Sequence, residues 1–418
     1  MTVSRSRRLT EITLFTRGDA SKVSTWSGLP HGCAQALETL GITVHSVDTN
    51  PGRRTRRLLR IVHRLSRHLR RDDEWLRQII VSRAERHIVA QACRSYPGSQ
   101  CNLFLTFSFS SRGLSDLPTV HYCDQCFAEL LEGSGRTSLT RGEKLRIAEE
   151  VAALKGAGLL VSTSTHCIEF LRRHYGLRNV FGSPVYGMNL TGYRGEPRPP
   201  FVQKLGSTDI VFVGSAIKNR GLDVLLEAFR RFSTSTGQAY TLHIVGFEQG
   251  AVPGDWPNTQ WHGQLDKNAP DQARLYWRLL EQARMFVIPS RMGPPPGAIL
   301  EAQYLGTPVI TTSVWGAEQL VQDGKTALVL EEATPESVCG AMSRLASDPH
   351  LWGELARAGH EHALRWTWER ASGTLLEQMQ RVAVGQNPHG GTDPEHAGEL
   401  ASTSPNPPIV SREARSPE

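Results

Sequence analysis

Short apolar runs alternate with longer stretches of helical periodicity along most of this 418-residue chain. Short apolar runs between turns are typical of buried strands, and the stretches between them are long enough for crossover helices. The alternation therefore favours parallel sheets covered by helices. Because the chain is longer than one hydrophobic core usually serves, the sequence predicts an α/β protein with two doubly wound, Rossmann-like domains.

Individual elements can be predicted in both halves. The predicted strands lie at 12–15, 43–47, 103–107, 119–122, 159–162, 209–213, 241–245, 285–288, 308–311 and 327–330. The clearest predicted helices of the second half lie at 221–232, 271–283, 298–304, 335–346 and 350–364. In the first half, Thr140 and Glu143 form a capping box, and Ser164 or Thr165 caps a helix that ends near Gly176.

Domain boundaries follow from changes in composition. The stretch 191–206 is rich in glycine, proline and polar residues and lacks periodicity, so we interpret it as a linker. It divides the chain into an N-terminal domain at 1–190 and a C-terminal domain at 207–365, followed by a helix at 366–384. The segment 385–418 has no periodic apolar face and is predicted to be a disordered tail.

The cysteine pattern and the N-terminus bear on the compartment. An odd number of cysteines scattered over a long chain indicates reduced, mostly buried thiols. They are Cys33, Cys93, Cys101, Cys123, Cys126, Cys167 and Cys339. Cys123 and Cys126 form a CxxC motif without a second pair at zinc-ligand spacing, so we expect packing roles and no metal site. The apolar patch at 12–15 is too brief for a signal sequence, so we expect a cytoplasmic protein.

Arginines dominate one segment and account for much of the formal net charge of +6. The run without an intervening acid is Arg53, Arg54, Arg56, Arg57, Arg60, Arg64, Arg67, Arg70 and Arg71. At helical periodicity most of them share one face, and the opposite face carries Leu58, Ile61, Val62, Leu65 and Leu69. Such a helix either lies on the inner face of a membrane, meets a phosphate-bearing acceptor, or buries its leucine face in the domain. No reading motif accompanies the charge, so we expect no nucleic acid partner.

Loops after the strands of a doubly wound sheet are where ligands bind. The loop after 209–213 begins with Gly214 and Ser215 and carries Lys218 and Arg220 before a helix. The glycine permits close backbone approach, and the cations with the helix amides suit a diphosphate. Basic loops of this kind are common, so this loop alone identifies no function.

The loop after 285–288 contains Gly293 and Gly297 and leads into a helix with Glu301. One carboxylate accepts hydrogen bonds from two adjacent hydroxyls, so Glu301 in the first turns of that helix suits a ribose diol. The competing interpretation is a surface glutamate that complements the helix dipole.

The succession of a strand, Pro-Ser, a glycine-rich loop, Glu-Ala and Gly-Thr-Pro-Val-Ile, with Gly316, Glu318, Asp323 and Gly324 after it, resembles the donor domain of the retaining family 4 glycosyltransferases. The resemblance covers most of the second half. It implies a fold of the GT-B type with two facing domains, the first on the acceptor side and the second binding the nucleotide-sugar donor. It also implies that the helix at 366–384 returns to the first domain.

Roles for individual residues follow from the resemblance. It implies that Lys218 and Arg220 contact the diphosphate and act in catalysis, and that Glu301 contacts ribose. The first glutamate of the family's paired-glutamate motif is replaced here by Gly293, and the basic residue after the strand glycine by Ser215.

A fainter resemblance covers the first half. Trp26, Ser27 and Gly28 occupy a loop between the first strand and a helix, like the loop that faces donor phosphate and acceptor in one branch of the family. Trp26 either stacks on a sugar ring or is a buried aromatic. His121 matches a histidine near the donor sugar, with Asp124 as the competing candidate, and the alternative for His121 is a core histidine.

The resemblance implies sugar transfer with retention of configuration, to a glycan, lipid-linked or small-molecule acceptor, without a metal or other cofactor. The chain offers no convincing pair of opposed acids, which fits a front-face transfer in which the leaving phosphate takes the acceptor proton. Two other classes stay open. One is a catalytically degenerate GT-B protein that binds a glycan or a partner subunit, because Gly293 and Ser215 depart from the family pattern. The other is a different GT-B enzyme, such as a sugar epimerase or phosphorylase.

Overall fold

The computed structural model describes residues 8–69, 73–133, 138–182, 186–195, 199 and 201–386. The chain divides into two compact units. The first consists of the described residues within Met1–Ser21, Cys33–Val185 and Ser372–Glu418, and the second of those within Lys22–Gly32 and Tyr186–Ala371. Arg70 and Arg71 of the arginine run and residues 387–418 of the predicted tail lie outside the described residues.

The first unit contains a six-stranded parallel sheet in the order β2-β1-β3-β4-β5-β6. Its strands are β1 (Glu11–Thr16), β2 (Thr43–Asp48), β3 (Asn102–Phe104), β4 (Thr119–Tyr122), β5 (Leu159–Ser162) and β6 (Val180–Gly182). The helices over the same part of the chain are α1 (Leu29–Thr39), α2 (Arg53–Leu69), α3 (Glu74–Ser95), α4 (Phe127–Gly133), α5 (Arg141–Leu154) and α6 (Thr165–Tyr175).

The predicted helix caps of the first half are confirmed. Thr140 and Glu143 form the predicted capping box of α5. The Ser164 hydroxyl caps α6, which ends at Gly176 in a left-handed conformation. Strand β3 is shorter than predicted and ends at Phe104, and the Thr106 carbonyl oxygen beyond it accepts a hydrogen bond from the His121 side chain.

The second unit contains another six-stranded parallel sheet, in the order β12-β11-β10-β7-β8-β9. Its strands are β7 (Asp209–Val213), β8 (Thr241–Val245), β9 (Thr259–Trp261), β10 (Met285–Ile288), β11 (Val309–Thr312) and β12 (Ala327–Leu330). The remaining helices are α7 (Phe201–Leu205), α8 (Ile217–Arg220), α9 (Leu222–Ser235), α10 (Pro270–Gln282), α11 (Ala298–Tyr304), α12 (Pro335–Ser347), α13 (Pro349–Ala363) and α14 (Trp368–Ala383). The predicted pair of doubly wound domains is confirmed.

Part of the stretch predicted to be a linker belongs to the core of the second unit. Residues 201–205 form α7, and the fully buried ammonium of Lys204 donates to the carbonyl oxygens of Leu280 and Glu281 at 2.7 and 2.8 Å. Burial lowers the pKa of Lys204 to about 7. Residues 196–198 and 200 of this stretch lie outside the described residues.

Candidate functional site

The strand order of the second sheet reverses next to β7. This strand pairs with β8 on one side and with β10 on the other, and all three run parallel. Such a switch point opens a crevice beyond the carboxyl ends of the strands. The loops there touch through their backbones. A Cβ on Gly246 would lie 1.7 Å from the Gly214 carbonyl oxygen, and one on Gly221 would lie 2.0 Å from that of Pro289. Both glycines also have positive φ angles, so only glycine fits this edge of the sheet without strain.

The two cations predicted from the loop after β7 lie in a single helical turn, α8, and not in an extended loop. Arg220 Nη1 donates to the carbonyl oxygen of Pro294 at 2.8 Å. In the other direction, the amides of Arg291 and Met292 donate to the Asn219 carbonyl oxygen at 2.8 and 3.3 Å. The loop after β7 and the loop after β10 therefore hold each other in place.

A cluster of charges lies at this contact. Lys218 Nζ is 2.7 Å from Asp223 Oδ2, and Arg291 Nη1 is 3.2 Å from the same oxygen. Burial opposes ionisation of Asp223, but its hydrogen bonds and charge interactions with the two cations outweigh burial and lower its pKa. Arg291, which sequence reasoning did not single out, joins Lys218 and Arg220. Two cations beside Asp223, with Arg220 in the same helical turn as Lys218, suit a bound anion.

Glu301 is buried in α11, with 4% of its surface exposed, so the alternative of a surface glutamate is wrong. Lys267 Nζ lies 2.6 Å from its Oε1, and the Tyr276 hydroxyl donates to its Oε2 at 2.5 Å. Burial lowers the pKa of Lys267 and the Glu301 charge opposes that shift. The carboxylate is thus fixed by one partner on each oxygen.

The ion pair of Lys267 with Glu301 is part of a longer chain of hydrogen bonds. Lys267 Nζ also donates to the Asn189 carbonyl oxygen at 3.2 Å, and Asn189 Nδ2 donates to the Ser27 carbonyl oxygen at 3.1 Å. Ser27 belongs to the short segment Lys22–Gly32 that packs in the second unit. Sequence reasoning singled out Glu301 and Ser27 separately, and the structure connects them.

The loop that contains Ser27 has an unusual backbone. Trp26, Ser27 and Gly28 have φ angles of 48°, 55° and 85°. Left-handed conformations of non-glycine residues occur where surrounding contacts enforce them, and they are frequent at ligand sites. A Cβ on Gly28 would lie 2.2 Å from Asn189 Nδ2, so glycine lets the Asn189 amide approach the loop. Trp26 is 38% exposed, and the alternative of a buried aromatic is therefore wrong.

His121 lies in β4 of the first unit and is fully buried. Its ring stacks on Phe104, with centroids 5.0 Å apart, and its Nδ1 donates to the Thr106 carbonyl oxygen at 2.7 Å. Burial lowers the pKa of His121 to about 4, so the ring is neutral at pH 7. Its Nε2 has no hydrogen-bond partner among the described residues. Asp124, just after β4, is half-buried and has more accessible surface.

The two glycines of the loop after β10 differ. Gly293, where the resembling family has a glutamate, has a φ of 89°, and no atom lies within 4 Å of the position that a Cβ would take. A glutamate there would be strained by its backbone and not by its neighbours. Gly297, directly before α11, has the Tyr186 hydroxyl oxygen 2.0 Å from where its Cβ would lie. Ser215 is exposed at the start of the turn before α8.

Comparisons with known proteins bear on the family and the fold. Residues 207–348 match the family model described as "Glycosyl transferases group 1". D-inositol 3-phosphate glycosyltransferase of Rhodococcus jostii (strain RHA1) is 29% identical over 261 residues, 58% of this chain and 57% of that protein. The protein of the same name from Rhodococcus erythropolis (strain PR4 / NBRC 100887) is 29% identical over 223 residues, 50% of this chain and 49% of that protein. The chain thus spans about half the length of these curated relatives.

Solved structures share the fold. Sucrose-phosphate synthase (tll1590) from Thermosynechococcus elongatus has a TM-score of 0.65 at 16% identity, covering 90% of this chain and 100% of that one. Anabaena Alr3699/HepE, solved in complex with UDP and glucose, has a TM-score of 0.58 at 15% identity, covering 88% and 99%. The chain therefore has a GT-B fold, and residues 207–348 of its second unit match the glycosyl transferase group 1 model.

Proposed function

We propose that this protein is a glycosyltransferase that moves a sugar from a nucleotide-sugar donor to an acceptor with retention of configuration. The observation that carries the proposal is that the residues matching the family model also contain the crevice and its cations. The group 1 domain at 207–348 contains the switch-point crevice, and the cations Lys218, Arg220 and Arg291 gather at one side of that crevice. The structural neighbour from Anabaena holds UDP and glucose, which supports a donor of the same chemical class.

The donor's two polar parts match different groups of the second unit. We assign the diphosphate to Lys218 and Arg220, which stand beside the start of α9. We assign the ribose diol to Glu301, since Lys267 and Tyr276 each occupy one lone pair of the carboxylate oxygens and leave others for hydroxyls. The same two partners orient the carboxylate before a donor arrives.

The chemistry that this arrangement favours is stabilisation of the leaving group. As the bond between sugar and phosphate breaks, negative charge grows on the diphosphate, and fixed cations bind that charge more strongly than they bind the ground state. The leaving phosphate accepts the proton of the attacking hydroxyl on the same face of the sugar, so configuration is retained. This route requires no pair of protein carboxylates.

A donor screen tests the proposal. We expect the full-length protein to bind one of the UDP, GDP, ADP and dTDP sugars selectively and to release its nucleoside diphosphate. Because the curated relatives are named for D-inositol 3-phosphate, that compound belongs in the acceptor panel beside glycan and lipid-linked acceptors. Nuclear magnetic resonance of the product gives the anomeric configuration.

Each result of the screen has a distinct meaning. A product with retained configuration supports the proposal. Selective donor binding without turnover on any acceptor would indicate the degenerate binding protein, and an epimerised sugar or a sugar phosphate product would indicate another GT-B enzyme. An inverted product would contradict the proposed mechanism while leaving the enzyme class intact.

The arginine-rich helix α2 favours an acceptor at a membrane surface. Three apolar side chains on one face of α2 are exposed, Leu58 by 46%, Ile61 by 49% and Leu65 by 56%. The alternative in which the helix buries its leucine face in the domain is therefore wrong for these three. Exposed leucines next to exposed arginines are the pattern of a helix that lies in an anionic lipid interface. Among the described residues no helix is long and apolar enough to cross a membrane.

We propose that α2 binds anionic lipid. We expect the triple variant Leu58→Ser, Ile61→Ser, Leu65→Ser to bind phosphatidylglycerol vesicles at least about tenfold more weakly than the wild type. The reason is that each substitution removes apolar surface that would be buried in the lipid interface. Vesicle flotation measures the effect, and binding of the wild type should fall as salt is raised. Leu364→Ser removes a similarly exposed leucine, 47%, from the second unit and should leave binding unchanged. Equal binding by the triple variant and the wild type would contradict the lipid contact.

A further inference from the structure

Three side chains of metal-ligand type meet inside the first unit, far from the group 1 domain in sequence. Cys126 Sγ, Cys167 Sγ and a carboxylate oxygen of Glu129 all lie within 4.8 Å of one another, and the three residues are buried. A buried set of two thiols and one carboxylate is unusual for simple packing, because the carboxylate carries a charge that burial disfavours.

The two cysteines lie at the N-terminal ends of two helices, α4 and α6. Cys126 precedes α4, and its amide donates to Glu129 Oε2 at 3.1 Å, which turns the carboxylate back toward the cysteine. Cys167 lies in the first turn of α6, where its amide donates to the Ser164 hydroxyl at 3.2 Å. Backbone contacts in both places therefore fix the ligand-bearing residues.

A second residue already orients the carboxylate from outside. His166 Nδ1 lies 2.6 Å from Glu129 Oε1, and half of the His166 side chain is exposed. Carboxylates that bind metals commonly hold such an outer hydrogen bond.

Further ionisable side chains lie beside the cluster. Glu150 is buried beside the cluster and accepts from the Phe127 amide at 3.0 Å and from the Tyr175 hydroxyl at 2.7 Å. Arg146 lies over the Phe127 ring, 3.6 Å from its centroid. Two acids and two thiols thus share one buried region.

We propose that Cys126, Cys167 and Glu129 bind one divalent cation of the zinc class, with water in the fourth position. In a tetrahedral zinc site the two sulfurs stand about 3.8 Å apart and a sulfur and a carboxylate oxygen about 3.5 Å. Since the ligand atoms lie within 4.8 Å of one another, metal binding shortens these distances by about 1.3 Å at most. Thiolates favour zinc over magnesium or calcium.

Proton and charge balance are consistent with a divalent ion. Each thiol releases its proton to solvent when the sulfur binds the metal. Two thiolates and the Glu129 carboxylate carry three negative charges, and a divalent cation offsets two of them. The metal therefore lowers the cost of burying these ligands.

A bound metal ion would link the turn after β4, where Asp124 lies, to helix α6. The CxxC pair that the sequence shows is only part of this arrangement, because Cys123 Sγ turns to the Gln125 carbonyl oxygen at 3.3 Å and is not one of the three ligands. The inference is independent of the proposed sugar transfer.

The test uses the full chain, reduced and freed of metal by a chelator, titrated with Zn²⁺ against a chromophoric competitor and with Co²⁺ as a spectroscopic probe. We expect one ion per chain, thiolate-to-cobalt absorption bands, and a higher Tm with metal. Cys126→Ser and Cys167→Ser should each weaken Zn²⁺ binding at least about 100-fold, and Glu129→Gln about tenfold or more.

Cys101→Ser is the matched control, because Cys101 is a fully buried thiol of the same unit outside the cluster. It should leave Zn²⁺ binding unchanged. Circular dichroism separates loss of binding from loss of folding, and Glu129→Gln keeps the side-chain shape if the serine variants do not fold. No Zn²⁺ binding by the reduced, folded wild type, unchanged affinity in Cys167→Ser, or a native Cys126–Cys167 disulfide would each overturn the proposal.

Discussion

Replacing Glu301 by alanine is expected to destabilise the protein by about 3 to 5 kcal/mol, because the change leaves the buried Lys267 ammonium without its charge partner. Among the described residues, only the Asn189 carbonyl oxygen, at 3.2 Å, would remain as a hydrogen-bond acceptor for Lys267. The Tyr276 hydroxyl would lose its acceptor as well. Urea unfolding, followed by circular dichroism, measures the loss in free energy of unfolding.

A double-mutant cycle separates the charge effect from other effects. Removing both charges in Glu301→Ala with Lys267→Met should cost less than Glu301→Ala alone, since no unpaired buried charge remains. Glu354→Ala, at an exposed helical position, is the control and should change stability by less than about 0.5 kcal/mol. If the single and double variants are equally unstable, the Lys267 charge is not what Glu301 compensates.

Glu301→Ala alone does not test a ribose contact. A loss of donor binding in Glu301→Ala would follow from local unfolding as readily as from a missing ribose contact. Glu301→Gln keeps the volume and an acceptor for Tyr276, so it isolates the contribution of the carboxylate charge. Donor binding by the folded glutamine variant therefore bears on the assignment of Glu301.

The sheets were predictable because of how parallel strands are buried. Strands such as β7 and β10 are covered on both faces, so they appear in sequence as unbroken apolar runs. Glu301 was singled out correctly as a residue of the helix after the glycine-rich loop. The short α8 and β9 were not predicted, because so few residues show no periodicity.

The partners of the candidate site residues were not predictable from spacing. Lys267 and Asn189 connect Glu301 with Ser27, although the loop of Ser27 lies in the other half of the sequence. Cys167 joins Cys126 in the same way, from a different helix. Periodicity reports which face of an element is buried, whereas these contacts depend on how distant elements pack.

The double variant Lys218→Ala with Arg220→Ala is expected to reduce turnover by about 10² to 10³, with a smaller loss of donor affinity. Removing one donor of hydrogen bonds to a developing anion costs about 3 to 4 kcal/mol of transition-state stabilisation. Lys218 is the cleaner single change, since its side chain is largely exposed and paired only at the surface with Asp223. Arg220→Ala also releases the Pro294 carbonyl oxygen and so loosens the loop after β10.

Arg230→Ala with Arg231→Ala is the matched control, because it removes two arginines from the neighbouring helix α9, where both pair with Glu227 at the surface. It changes the net charge equally and should leave turnover and donor affinity near wild type. Comparing kcat with the donor Kd decides the role of the α8 cations. A larger loss in kcat indicates binding of the charge that develops in the transition state, whereas equal losses indicate that the cations only hold the donor.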